Sequence, residues 1–132
     1  RQELFYPKTV FKNYFAIGGD YEIGKPIERY AEIGGCYYAA RLAVSEKLFR
    51  ERVQATAIVL REVYSDYLFP VGVWNVRESV RNALNQNYEK FDNINDALKR
   101  VKELLKTDIS VWLKNSFLLR ALIKDNLKVF VS

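Results

Sequence analysis

The 132 residues, about half of them apolar, fit one domain with enough bulk to bury a core, and a charge breaks every hydrophobic run before it reaches the length of a membrane span. With no histidine and a single cysteine, Cys36, the chain holds no intramolecular disulfide, no Cys/His zinc site and no imidazole-based triad. The 21 basic residues outnumber the 16 acidic ones, and the excess lies in residues 99–132, with eight basic side chains against three acids.

Thr9 to Ile17 alternates aromatic and branched residues and predicts a strand, which Gly18, Gly19 and Asp20 end. Ile27 to Ile33 predicts a second, leading into the pair Gly34, Gly35. Cys36 to about Glu51, rich in alanine and long charged chains, predicts a helix with Tyr38, Leu42, Ser45 and Phe49 near one face. Val53 to Tyr64 is apolar on both alternating sides at its centre, the pattern of a covered central strand. Trp74 to Asn85 predicts a helix with Val76, Val80, Ala83 and Leu84 facing inward. Asn93 with Asp96 three residues on resembles a capping box opening a helix through Leu105. Another helix follows Asp108 or Ser110, carrying Trp112, Leu113, Phe117, Leu119 and Ile123. Strands first and helices later predict an α+β fold: N-terminal strands form a small sheet packed against several helices that dominate the C-terminal half.

Several groups of residues are candidates for a site. Gly34 and Gly35, between a predicted strand and a predicted helix, either offer backbone amides to a phosphate, with Arg41 within two turns, or form a packing turn. Cys36 in the first helical turn lacks a base and reads as a small buried residue. Arg61, Glu62, Arg77, Glu78 and Arg81 form the densest charged constellation, in which the arginines grip an anion or pair internally with the glutamates. Glu62 and Glu78 are the carboxylates available for acid/base work, but no spacing marks a catalytic residue, a metal loop or a cofactor. Trp74 either stacks a base or belongs to the core. The basic C-terminal third reads as a phosphate-backbone footprint or as a solvated helix face. The tail from Lys124 to Ser132 permits a helical turn projecting Leu127 and Phe130, a continuation of the preceding helix, or a strand with Leu127, Val129 and Val131 on one side.

Read together, Glu32-Ile33-Gly34-Gly35-Cys36-Tyr37-Tyr38-Ala39-Ala40-Arg41-Leu42-Ala43, Val59-Leu60-Arg61-Glu62-Val63-Tyr64 and Pro70-Val71-Gly72-Val73-Trp74-Asn75-Val76-Arg77-Glu78 resemble the C-terminal region of the archaeal Nre family. The resemblance runs on through Phe91-Asp92, Ala97-Leu98, Trp112, Asn115-Ser116 and Leu118-Leu119, covering roughly residues 32 to 132. It implies a part in DNA repair, DNA and other DNA-repair proteins as partners, and a terminal motif for the sliding clamp PCNA. The matching frame puts Lys124 where the motif has glutamine, Leu127 at its aliphatic position, and Phe130 and Val131 at its two aromatic positions.

These readings predict a single domain over 1–132, the C-terminal part of a longer cytoplasmic protein. Its expected function is a non-enzymatic module that binds DNA through Gly34, Gly35, Arg41, Arg61, Trp74, Arg77 and Arg81, and the clamp through residues 124–131. Two alternatives stand beside it: an enzyme acting on a phosphate-containing substrate at an arginine-lined pocket, and a structural domain packing on an upstream region.

Overall fold

A computed structural model describes residues 17–64, 72–125 and 129–131. Among the described residues, five helices account for most of the regular structure: α1 (Gly35–Glu51), α2 (Val73–Leu84), α3 (Ile94–Leu104), α4 (Ile109–Asn115) and α5 (Phe117–Asp125). Two three-residue strands, β1 (Glu89–Phe91) and β2 (Val129–Val131), pair antiparallel with Glu89 opposite Val131, Lys90 opposite Phe130 and Phe91 opposite Val129.

The fold is therefore mostly helical, and the predicted α+β arrangement with an N-terminal sheet is corrected. Residues 9–16 of the first predicted strand lie outside the described residues, and Ile17 belongs to no strand. Ile27–Ile33 is bent rather than extended, and it closes in a turn where Gly34 N–H donates to the Ala31 carbonyl at 2.9 Å. Val53–Tyr64 is extended but belongs to no strand ladder among the described residues. Val53, Ala55 and Ala57 are exposed, while Val59 lies against the buried cluster of α1 and α2. An extended chain on a helical surface shows the same alternation as a strand, so periodicity alone did not separate them.

Small residues decide how α1 and α2 meet. Cys36, Ala39, Ala40 and Ala43 of α1 bury against Val76 and Val80 of α2. The contacts Gly35 with Val73, Glu46 with Arg81 and Arg50 with Asn85 advance in the same direction along both helices, so the two run parallel. At the N-terminal end a Cβ on Gly35 would meet Val73 Cγ2 at 2.7 Å. Burying the alanine face turns the face of Tyr38, Leu42, Ser45 and Phe49 away from α2; Phe49 is 87% exposed.

The C-terminal half is built around Ile94, Ala97, Trp112 and Leu119, all buried. The predicted cap is present: Asn93 Oδ1 accepts from the Asp96 N–H at 3.0 Å and opens α3. The single helix predicted after Asp108 is broken at Ser116. That residue is extended, its Oγ accepts from the Leu119 N–H at 3.2 Å, and a new helix starts. Arg120 then folds back to donate to the carbonyls of Leu113 and Lys114, satisfying the exposed end of α4. Of the three forms predicted for the tail, residues 129–131 take the strand. Residues 126–128, Leu127 among them, lie outside the described residues.

Candidate nucleic-acid interface

Both helices of the parallel pair begin on glycine. Gly34 caps α1 with φ 62°, a conformation that glycine adopts without a Cβ penalty, and Gly72 caps α2. No side chain caps either terminus, and neither first turn contains an acid. The leading N–H groups of two neighbouring helices thus gather at one end of the pair, with the positive ends of both dipoles side by side. Such an end favours an anion.

Arg61 and Trp74 stand at that end. Arg61, at the end of the extended segment, donates from Nη2 to Asn75 Oδ1 at 3.3 Å in the first turn of α2. Trp74 beside it is 66% exposed, which excludes the core reading; Trp112, 1% exposed, is the buried tryptophan. Arg77, one turn further along α2, is half-buried with Nε 3.3 Å from Glu78. Gly34, Gly35, Arg61, Trp74 and Arg77 therefore lie about the start of the helix pair.

The other predicted residues are placed elsewhere. Arg81 binds Glu46 through two contacts, at 2.8 and 2.7 Å, and Glu78 at 2.6 Å, tying α2 to α1. Arg41 pairs with Glu22 at 2.7 Å in a cleft bordered by Tyr37 and Arg120. Burial, and then a hydrogen bond with Glu22, push the Tyr37 phenol up. Lys124 is exposed at the end of α5, while the backbones of Phe130 and Val131 are held in the ribbon opposite Lys90 and Glu89.

Glu62 has a different employment from the acid/base role considered for it. Its two carboxylate oxygens accept from the backbone N–H groups of Lys106, at 3.0 Å, and Thr107, at 2.7 Å, and the Tyr64 hydroxyl donates to it as well. Burial would raise its pKa, but these hydrogen bonds outweigh it and hold the carboxyl below the usual range. A carboxylate so held is a poor proton acceptor and a good fastener between the extended segment and the α3–α4 loop. Glu78 lies between Arg77 and Arg81. Among the described residues no group of three or more potential ligands could hold a metal ion.

Sequence reasoning missed Gly72, Asn75, Tyr64 and Lys106. Gly72 was legible as a helix start only together with a neighbouring glycine-capped helix, and that neighbour comes from packing. The Lys106 ammonium sits 3.9 Å from the centre of the Tyr64 ring, a contact 42 positions apart that no local pattern signals.

Residues 22–130 match the family described as "Archaeal Nre, C-terminal". The chain belongs to the archaeal Nre family. It is 41% identical over 120 residues to the DNA repair protein NreB of Archaeoglobus fulgidus, covering 89% of this chain and 31% of that relative. It is 46% identical over 82 residues to the DNA repair protein NreA of the same organism, covering 62% of this chain and 21% of that protein. It is also 40% identical over 79 residues to NreA of Haloferax volcanii, covering 60% and 19%. The chain thus spans about a third or less of the curated Nre proteins it matches. No solved structure matches it. None of the described helices is long and apolar enough to cross a membrane.

Proposed function

We propose that this Nre chain is a DNA-repair module that contacts DNA through the glycine-capped start of the α1/α2 pair. The observation that carries the reading is the pairing of two acid-free helix N-termini beside Arg61 and the exposed Trp74. Backbone amides and a guanidinium serve phosphate, and a free indole face serves a base. The names of the relatives, DNA repair proteins NreA and NreB, support the same direction. The test is fluorescence anisotropy with labelled 20-nucleotide DNA at low salt. Binding that Arg61→Gln weakens several-fold supports the reading, and absence of binding to any DNA form removes it.

A second contact, with the sliding clamp, rests on the family resemblance of residues 124–131. The ribbon sets a condition on it, because clamp docking in a helical turn requires β2 to leave β1. Calorimetric titration into an archaeal PCNA is expected to give heat with the parent chain and none with Leu127→Ala/Phe130→Ala, at unchanged circular dichroism. No heat from the parent ends the clamp reading.

A further inference from the structure

Among the described elements α1 packs on α2 and on no other helix or strand. On the side turned away from α2, Tyr38, Leu42, Ser45 and Phe49 follow one another at spacings of four, three and four residues. That is the repeat of positions a and d in a two-stranded coiled coil, with Leu42 and Phe49 at a and Tyr38 and Ser45 at d. Leu42 and Phe49 are exposed, and the exposed Tyr30 extends the stripe at its N-terminal end, its ring centre 5.4 Å from that of Tyr38. Apolar side chains scattered singly over a surface are ordinary, whereas a row of them along one helix marks a contact surface.

The charges beside the stripe select its occupant. Arg41 stands at position g, on the flank toward Glu22, and Glu46 at position e, on the flank toward α2. Each has one partner in its own chain: Arg41 Nε lies 2.7 Å from Glu22, and Glu46 holds Arg81. Their side chains nevertheless remain 44% and 43% exposed, and a guanidinium with five donors or a carboxylate with four acceptor positions takes a second partner. In a parallel pair of identical helices, g of one helix meets the e residue five positions further along the other. Arg41 of each copy then faces Glu46 of the second copy, and the two-fold axis makes both ion pairs at once. An antiparallel pair joins like flanks, setting Arg41 beside Leu48 and Glu46 beside Ala39, and forms neither ion pair.

We propose that the outward face of α1 is a homodimer interface, on which a second copy of this chain docks its own α1 in parallel through Tyr38, Leu42, Ser45 and Phe49. The seam is two heptads long and includes a serine, so the dimer is weak and forms as concentration rises. The parallel arrangement sets the starts of the two α1 helices at one end of the assembly. This inference is independent of the DNA reading, which needs no second copy.

The experiment is analytical ultracentrifugation of the full chain from about 5 to about 500 μM. The interface predicts a weight-average mass that rises from 15.5 kDa toward twice that value. Leu42→Glu and Phe49→Glu each keep the mass at the monomer's throughout, and because both side chains are exposed, their circular dichroism and urea midpoints stay at the parent's. Arg41→Glu weakens dimerisation at least about tenfold, since it sets like charges across a parallel seam, and mixing it with Glu46→Lys, shown by its urea midpoint to be folded, restores the dimer. Dimerisation of Arg41→Glu at the parent's strength, or a mixture that stays monomeric, overturns the parallel arrangement. A parent chain that is monomeric at every concentration, or a dimer that Leu42→Glu and Phe49→Glu leave intact, overturns the interface, and neither result touches the DNA reading.

Discussion

Glu62 shows what one side chain contributes. Two backbone amides from the α3–α4 loop and the Tyr64 hydroxyl converge on its carboxylate, so the charged form joins the extended segment to the C-terminal half. Its folded pKa lies below the unfolded value of 4.5, and the linked stability is therefore full above 4.5 and lost as the pH falls through the folded value. Glu62→Gln is expected to cost about 1–2 kcal/mol at pH 7, the scale of charge-assisted hydrogen bonds at a half-exposed site. Urea melts at pH 7 and pH 3.5 check this: the gap between variant and parent should narrow at the lower pH. None of this was legible in the sequence, where Glu62 was one more carboxylate beside an arginine. Trp74 carries the opposite lesson. Tryptophan is well buried on average, and only the packing of Val76 and Val80 against the alanine face of α1 leaves the start of α2, and its indole, outside.

At the scale of elements, the helices with strong local signals stand where the sequence placed them. The alanine-rich run gave α1, the spacing of Val76 and Val80 gave α2, and Asn93 capped α3. Asn93→Ala should cost about 1 kcal/mol, measured as a lower urea midpoint with an unchanged slope. The break between α4 and α5 escaped notice because leucine and phenylalanine run on past it, and a serine side chain that caps a new helix also fits within an old one. The N-terminal sheet failed for another reason: glycines and alternation are shared by strands and by extended chain packed on helices. Gly35 is the sharpest test of the packing claimed here. A methyl group at Gly35 meets Val73 Cγ2 at 2.7 Å, so Gly35→Ala is expected to lower stability by about 1–3 kcal/mol despite its better helix propensity. A neutral or stabilising result in the same urea melt would contradict the close parallel pairing of α1 and α2.

For the whole molecule, charge and packing divide the work. The basic excess of residues 99–132 is partly consumed on the surface, where Lys99 pairs with Asp96 and Arg100 with Glu89 and Glu103. Exposed pairs of this kind contribute little stability, but they reduce the local field that a phosphate backbone meets. The α1/α2 end, by contrast, combines aligned amides, Arg61 and an exposed ring without an acid in either first turn. The proposed DNA contact accordingly lies at the helix pair rather than in the basic tail that the composition first suggested.

The most direct measurement is the salt dependence of DNA binding, read as the slope of log affinity against log salt for the parent chain, Arg61→Gln and a Lys114→Gln/Lys124→Gln variant. A clear negative slope is expected for the parent, a slope shallower by a little under one for Arg61→Gln, and one near the parent's for the lysine pair. An unchanged slope in Arg61→Gln with a large loss in the lysine variant would contradict it and move the contact to the C-terminal helices.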